Sequence, residues 1–243
     1  MKKIIALILS AVLCLSLCAC GSSKVEGKGY KSPEEALLAY ADALKSGDVS
    51  KILSTFAVET FVKNYDLEAY LDTVRVYSPS NIYLENDSSF AQDLNIVARQ
   101  NVITKQLYNM YAYLSLGPEY AVNLIPFSGN YDDADDFLDD FVIDDWMDIL
   151  SEMKYDDDFT YLDDLYEDDM VEKAEDMLDD RCDMFGCEKL ATLALEIELD
   201  GEDYLICMDV GCYDGKWYNL SHSGTIGSLL GVPSMAGGLC SDY

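Results

Sequence analysis

Basic residues are scarce in this chain, histidine occurs once, and the apolar run at its start is too short to cross a membrane. Lys and Arg number 16 against 46 Asp and Glu, a formal net charge of −30. Such a surface is repelled by nucleic acid and by anionic lipid headgroups alike, which excludes a nucleic-acid partner and leaves cationic partners and divalent ions open. The lone histidine, His222, sits between Ser221 and Ser223. A nucleophile–base pair also needs a third group to orient the base and donors for an oxyanion, and neighbours along an extended chain point apart. His222 therefore reads as a loop residue without chemistry, and no catalytic residue is assigned. A G-x-x-x-x-G-K phosphate loop is missing as well.

What is present begins with Lys2 and Lys3, followed by 14 uncharged, mostly apolar residues at 4–17. A hydrocarbon core needs ~20 residues of helix, so this run is a secretory signal rather than a span. The exit, Leu17-Cys18-Ala19-Cys20, resembles the lipobox of bacterial prolipoproteins. That resemblance implies cleavage before Cys20 and a diacylglyceryl thioether on its sulfur. Two acyl chains meet the two-signal requirement for stable anchoring. The expected location is the extracytoplasmic face of the cell membrane, with the membrane as partner through Cys20 alone.

Residues 21–31 are rich in Gly, Ser and Lys and read as a flexible tether from the lipid. Ser32-Pro33-Glu34-Glu35 then announces a helix by a capping box with proline in the first turn. Leu37, Tyr40, Ala41 and Leu44 form its apolar stripe, and Gly47 ends it. Asp48 caps a second helix carrying Val49, Ile52, Leu53 and Phe56. Leu67, Tyr70, Leu71 and Val74 suggest a third. A long helix is expected from about Ser88 to Tyr113, and Pro118 and Pro126 bracket a loop.

Residues 131–183 hold 24 acidic and three basic residues, Lys154, Lys173 and Arg181. Their apolar residues still keep helical time: Leu138, Val142, Trp146, Ile149 and Met153, then Leu162, Tyr166, Met170, Ala174 and Leu178. Two amphipathic helices split near residues 155–160 are expected, with carboxylate outer faces. The acids lack the order of an EF-hand loop, so these faces read as solvated surface and no metal site or cofactor is assigned. Five cysteines follow Cys20: Cys182, Cys187, Cys207, Cys212 and Cys240. An odd count leaves one thiol over in any pairing, and the pairs are not assignable from sequence. The two C-x₄-C spacings suggest zinc arithmetic, but five residues along a strand put Cys207 and Cys212 on opposite faces. Buried thiols or disulfides are the expected state.

After Gly186 the period changes to two. Leu193, Leu195, Ile197 and Leu199 share one face, with Thr192, Ala194, Glu196 and Glu198 on the other. Tyr204, Ile206, Met208, Val210 and Cys212 share a face of the next strand. Asp200-Gly201 and Asp214-Gly215 are hairpin turns, giving a three-stranded antiparallel meander with one apolar face. The tail, 222–243, is Gly- and Ser-rich and expected to be irregular.

The segment SPEEALLAYADALKSGDVSKILSTFA, residues 32–57, resembles the opening helices of NTF2-like (cystatin-like) domains, and DGKWYNL, residues 214–220, looks like their last strand. The resemblance implies a curved sheet wrapped around helices as a cone, commonly with an interior pocket. The acidic helical middle departs from that pattern. The expected architecture is one α+β domain over residues 32–221, its N-terminal helices and an acidic helical insertion at about 131–183 packed on the C-terminal meander. The expected function is a non-enzymatic, membrane-tethered domain that binds a small-molecule or cationic partner or serves structurally. The rivals are an NTF2-like enzyme using buried carboxylates with tyrosine, and a divalent-cation-binding acidic surface protein.

Overall fold

The structure is a computed structural model and describes residues 24–74, 83–116, 143–166, 171–230 and 238–241. Cys20, the signal segment, Leu138, Val142, Met170, Pro118 and Pro126 lie outside the described residues.

The helix α1, Pro33–Ser46, begins where the sequence announces it. The Ser32 hydroxyl accepts from the Glu35 amide at 3.2 Å, while Glu35 reaches back to the Lys31 amide at 3.1 Å. Its stripe of Ala36, Leu37, Tyr40, Ala41 and Leu44 is buried. Asp48 caps α2, Val49–Ser54, by accepting from the amides of Ser50 and Lys51. A short helix that the periodicity did not signal, α3 (Glu59–Asn64), precedes α4 (Leu67–Thr73), which Asp66 caps. The long helix α5 spans Ser89–Leu116.

Between Ser151 and Tyr166 the acidic segment is less helical than its stripes suggest. After α6, Ile143–Ser151, the chain forms a strand β1, Phe159–Tyr161, and a 3₁₀ turn at Asp163–Leu165. Leu162 and Tyr166 therefore belong to no α-helix. Helix α7 covers Val171–Phe185. The four-residue steps through Leu162 and Tyr166 coincide with a helical period, but strand pairing of Phe159 with Leu195 and of Tyr161 with Leu193 prevails there.

The meander is as expected: β2 (Lys189–Leu199), β3 (Glu202–Tyr213) and β4 (Lys216–His222) pair antiparallel in sequence order. Both turns put aspartate and glycine at positive φ, 52° and 83° at Asp200 and Gly201 and 50° and 68° at Asp214 and Gly215. Two successive positive φ values match the twist of the flanking strands, which is why Asp-Gly serves here. β1 adds to the free edge of β2.

One face of the sheet carries Leu193, Leu195, Ile197, Ile206, Met208 and Val210, which pack with Leu37, Tyr40 and Leu44 of α1 and with Ile103, Leu107 and Met110 of α5. The first helix thus covers the meander as the NTF2-like resemblance implies. The opposite face is also covered, contrary to the expectation of one apolar face. Ala194, Leu205 and Cys207 lie in a second cluster with Leu162, Ile226 and Cys240, while Tyr213, Tyr218 and Leu220 lie in a third with Phe61, Val62 and Tyr65. Ile226 and Cys240 come from the tail. Instead of being irregular, the tail supplies a short helix α8, Thr225–Leu229, and a strand β5, Leu239–Ser241, paired to β3.

The tether also differs from its expected form. Val25 and Glu26 donate their amides to the Glu59 carboxylate at 2.8 and 3.1 Å, Gly27 donates to the Ser54 carbonyl at 2.9 Å, and Tyr30 pairs with Trp217. The chain is docked on the domain from Val25 onward.

Candidate functional site

Among the described residues three places concentrate polar groups: the seam between α1 and β4, two buried carboxylates, and a groove at the sheet edge.

The seam depends on a bulge. Val210 pairs with Asn219, but Met208 pairs with His222, so β4 carries one more residue than β3 between these pairs. A regular strand would put residues three apart on opposite faces. With the extra residue, both Asn219 and His222 turn toward α1. Their partners on β3 are two positions apart, about 6.6 Å along the strand. Ala36 and Tyr40 are four positions apart on α1, about 6 Å along the helix. The two spacings match, and so do the bonds. Asn219 Nδ2 donates to the Ala36 carbonyl at 2.8 Å, and the Tyr40 hydroxyl lies 2.6 Å from His222 Nε2.

On its other side, His222 Nδ1 lies 3.1 Å from Gln106 Oε1, an acceptor on α5. Nδ1 therefore carries the proton, and Nε2 accepts from Tyr40. Tyr40 and Phe56 flank the imidazole with ring centroids 5.2 and 5.8 Å away. Part of the residue stays accessible, yet the ring is enclosed. Desolvation, helped by the positive charge of Arg99, lowers the His222 pKa to about 3. Burial pushes the Tyr40 hydroxyl far above its ordinary value. Neither group exchanges protons near neutrality, so the pair is a latch rather than an acid–base couple.

Arg99 of α5 is itself buried. It donates to the carbonyls of Ala57 and Leu220 and stacks 4.1 Å from the Phe61 ring. Leu220 is the bulge residue, so Arg99 holds the distortion that aligns the seam. The reading of His222 as a loop residue is corrected: it ends a strand and joins three elements. Its signal in sequence was weak, a histidine after an alternating run and a tyrosine in a Leu/Ala stripe.

The buried carboxylates among the described residues, Glu26 and Asp209, lie elsewhere. Glu26 accepts from the amides of Val58 and Thr60 at 2.7 and 2.8 Å and from the Thr60 hydroxyl at 2.5 Å. Asp209, on the sheet face away from α1, accepts from Arg181, from Thr192 at 2.7 Å and from Ser221 at 3.1 Å. Both are saturated with donors, and neither faces the space between α1 and the sheet.

The groove, about 310 Å³, lies where the chain leaving α6 crosses β2 and β3. Asp156, Asp158, Glu196, Glu198 and Asp203 line it, with Lys154 donating to Glu198 at 2.5 Å. It is open to solvent and strongly acidic. Cys207 and Cys212 fall on opposite faces of β3, as their spacing implies. Cys207 approaches Cys240 while Cys212 lies near Glu188.

No protein-family model matches the sequence, and no curated protein matches it. Among solved structures, a cystatin-like protein from Ruminococcus gnavus is similar, with a TM-score of 0.51 at 13% identity over 79% of this chain. The matched region is 40% of that protein, so this chain spans well under two thirds of its length. At that identity the likeness speaks for fold alone, and it agrees with helices packed on an antiparallel sheet: the fold is α+β, of the cystatin-like cone type.

Proposed function

We propose that this chain is a membrane-anchored extracytoplasmic lipoprotein, held by lipid on Cys20, whose α+β domain works by binding or structural support without catalysis. The observation that carries the second part is how the described residues fill the space between the helices and the sheet. Leu37, Tyr40, Leu44, Phe56, Ile103, Leu193 and Leu195 are fully buried, or nearly so, between α1, α5 and the sheet. An enzyme of this fold using carboxylates needs them convergent in a lined cavity, with perturbed pKa values. Here Glu26 and Asp209 are saturated structural acceptors, and His222 is neutral at physiological pH. The first part is supported by the sequence before Cys20: two lysines, a short apolar run and a lipobox-like exit. Among the described residues no helix is long and apolar enough to cross a membrane. A partner, where one binds, is cationic, because the groove at Lys154 is lined by carboxylates and the net charge is −30.

Cys20→Ala tests the anchoring. Membrane fractionation and intact-mass analysis should find acyl mass on the wild-type N-terminus and the variant outside the membrane fraction. A mature wild-type chain without acyl mass overturns the reading.

A further inference from the structure

Helix α7 ends in a Schellman motif. The Cys187 amide donates to the Cys182 carbonyl and the Gly186 amide to the Asp183 carbonyl, both at 3.1 Å, with Gly186 at φ 61°. A side chain at Gly186 is doubly barred: the backbone is left-handed, and a Cβ would lie 1.9 Å from the Asn64 carbonyl oxygen. This motif brings the side chains at its first and last hydrogen-bonded positions into contact, ordinarily as an apolar pair. Here those positions are Cys182 and Cys187, and their sulfurs are 2.9 Å apart.

We propose that Cys182 and Cys187 are a modification site, closing into a disulfide that clamps the end of α7 to the start of β2, while Cys207, Cys212 and Cys240 stay thiols. Cys187 is partly exposed, so a disulfide reagent can reach its sulfur. Cys207 and Cys240 are also near one another, at 3.6 Å, but fully buried. Cys240 pairs in register with Leu205, which makes Cys207 its diagonal neighbour. Diagonal neighbours lie about 7–8 Å apart, beyond the ~4.4–6.8 Å between Cα atoms that a disulfide tolerates. The Cys212 sulfur lies beside the Glu188 carboxylate, and its residue pairs in register with Lys189, two positions on from Cys187, so Cys187 is again a diagonal neighbour rather than a facing one.

The co-reactant is a low-molecular-weight or protein disulfide. The Cys187 sulfur, deprotonated, attacks one sulfur of the reagent and releases its other half as a thiol. The Cys182 sulfur then attacks the mixed disulfide and releases the second half as a thiol. Two electrons and two protons pass from the cysteines to the reagent, which ends as two thiols. Burial raises the pKa of both cysteines, so closure without a catalyst is slow.

The full chain, purified in detergent, is equilibrated with oxidised glutathione, acid-quenched, denatured, alkylated and digested with trypsin. Arg181 and Lys189 place both cysteines in one peptide, residues 182–189. That peptide should be two hydrogens light and unalkylated, while Cys207, Cys212 and Cys240 take up the label. Alkylation of both Cys182 and Cys187, glutathione retained on either, or a link confined to Cys207 and Cys240 would each overturn the proposal.

Discussion

Tyr40 donates its hydroxyl to Nε2 of His222 across 2.6 Å, joining the first long helix to the end of the meander. One turn earlier, Asn219 donates to the Ala36 carbonyl. Two bonds spaced by one helical turn fix both the rotation of α1 and its position along the sheet. Tyr40→Phe keeps the ring and removes the donor, leaving a buried imidazole acceptor unsatisfied. The expected loss is roughly 1–3 kcal/mol, read from urea unfolding. A loss within a few tenths would mean that packing alone seats the helix.

Acidification should act through the same histidine. The His222 pKa is about 3 in the folded chain, against ~6.5 when unfolded. Below the unfolded value the unfolded chain takes up a proton that the folded chain refuses, so stability falls as pH drops from about 6.5 toward 3, and the loss then levels off. The contribution is on the order of a few kcal/mol. Unfolding free energies over this range should decline less steeply in His222→Gln, which has no group to titrate there. Equal slopes for the two proteins would show that the imidazole is not desolvated as described.

How far sequence reached depends on whether a pattern was local. The capped start of α1 and the two Asp-Gly turns were legible because each is written within a few residues. β1 was not: three residues, Phe159–Tyr161, are too few to display a period, and the aspartates around them resemble the helices on either side. β5 was hidden by a Gly/Ser-rich tail whose Leu239 and Cys240 gain meaning only beside β3. Thr192 and Ala194 looked like a solvent face, because a threonine bonded to Asp209 and a small alanine do not advertise burial. The seam was least legible. Tyr40 and His222 meet only because the bulge at Leu220 turns His222 inward, and no local spacing encodes a bulge.

Asp209 carries the outer face of the sheet as Tyr40 and His222 carry the inner one. Arg181→Met leaves a buried carboxylate with only two hydroxyl donors. The expected cost lies toward the lower end of the roughly 3–5 kcal/mol seen when one partner of a buried ion pair is removed, because Arg181 keeps some contact with water. Combining it with Asp209→Asn should recover part of the loss by removing the buried charge. A double variant no more stable than Arg181→Met alone would contradict this account.

Glu26 tests how closely the domain is held to its N-terminal segment. The residue before α3, Val58, makes no side-chain cap, and Glu26 supplies one from 32 residues earlier, accepting from the amides of Val58 and Thr60. Glu59 returns the favour to the amides of Val25 and Glu26. Each end therefore satisfies the other's free donors, with the Glu26 carboxylate at the electropositive end of the helix. In the proposed anchored form this leaves only residues 21–24 between the lipid on Cys20 and the docked chain at Val25, five Cα steps with a reach of at most about 18 Å. Glu26→Ala removes the acceptor, uncaps α3 and frees residues 25–30 from the surface. It should cost about 1.5–3 kcal/mol, the scale of a hydrogen bond to a charged group, and should loosen the backbone around the already exposed Lys28 so that trypsin cuts there faster. Limited digestion of the folded protein followed by mass analysis reads the second effect directly. If Lys28 is cut as slowly in the variant as in the wild type, the segment is held by the Tyr30–Trp217 pairing and not by the carboxylate. The short standoff from the membrane would then survive the loss of Glu26.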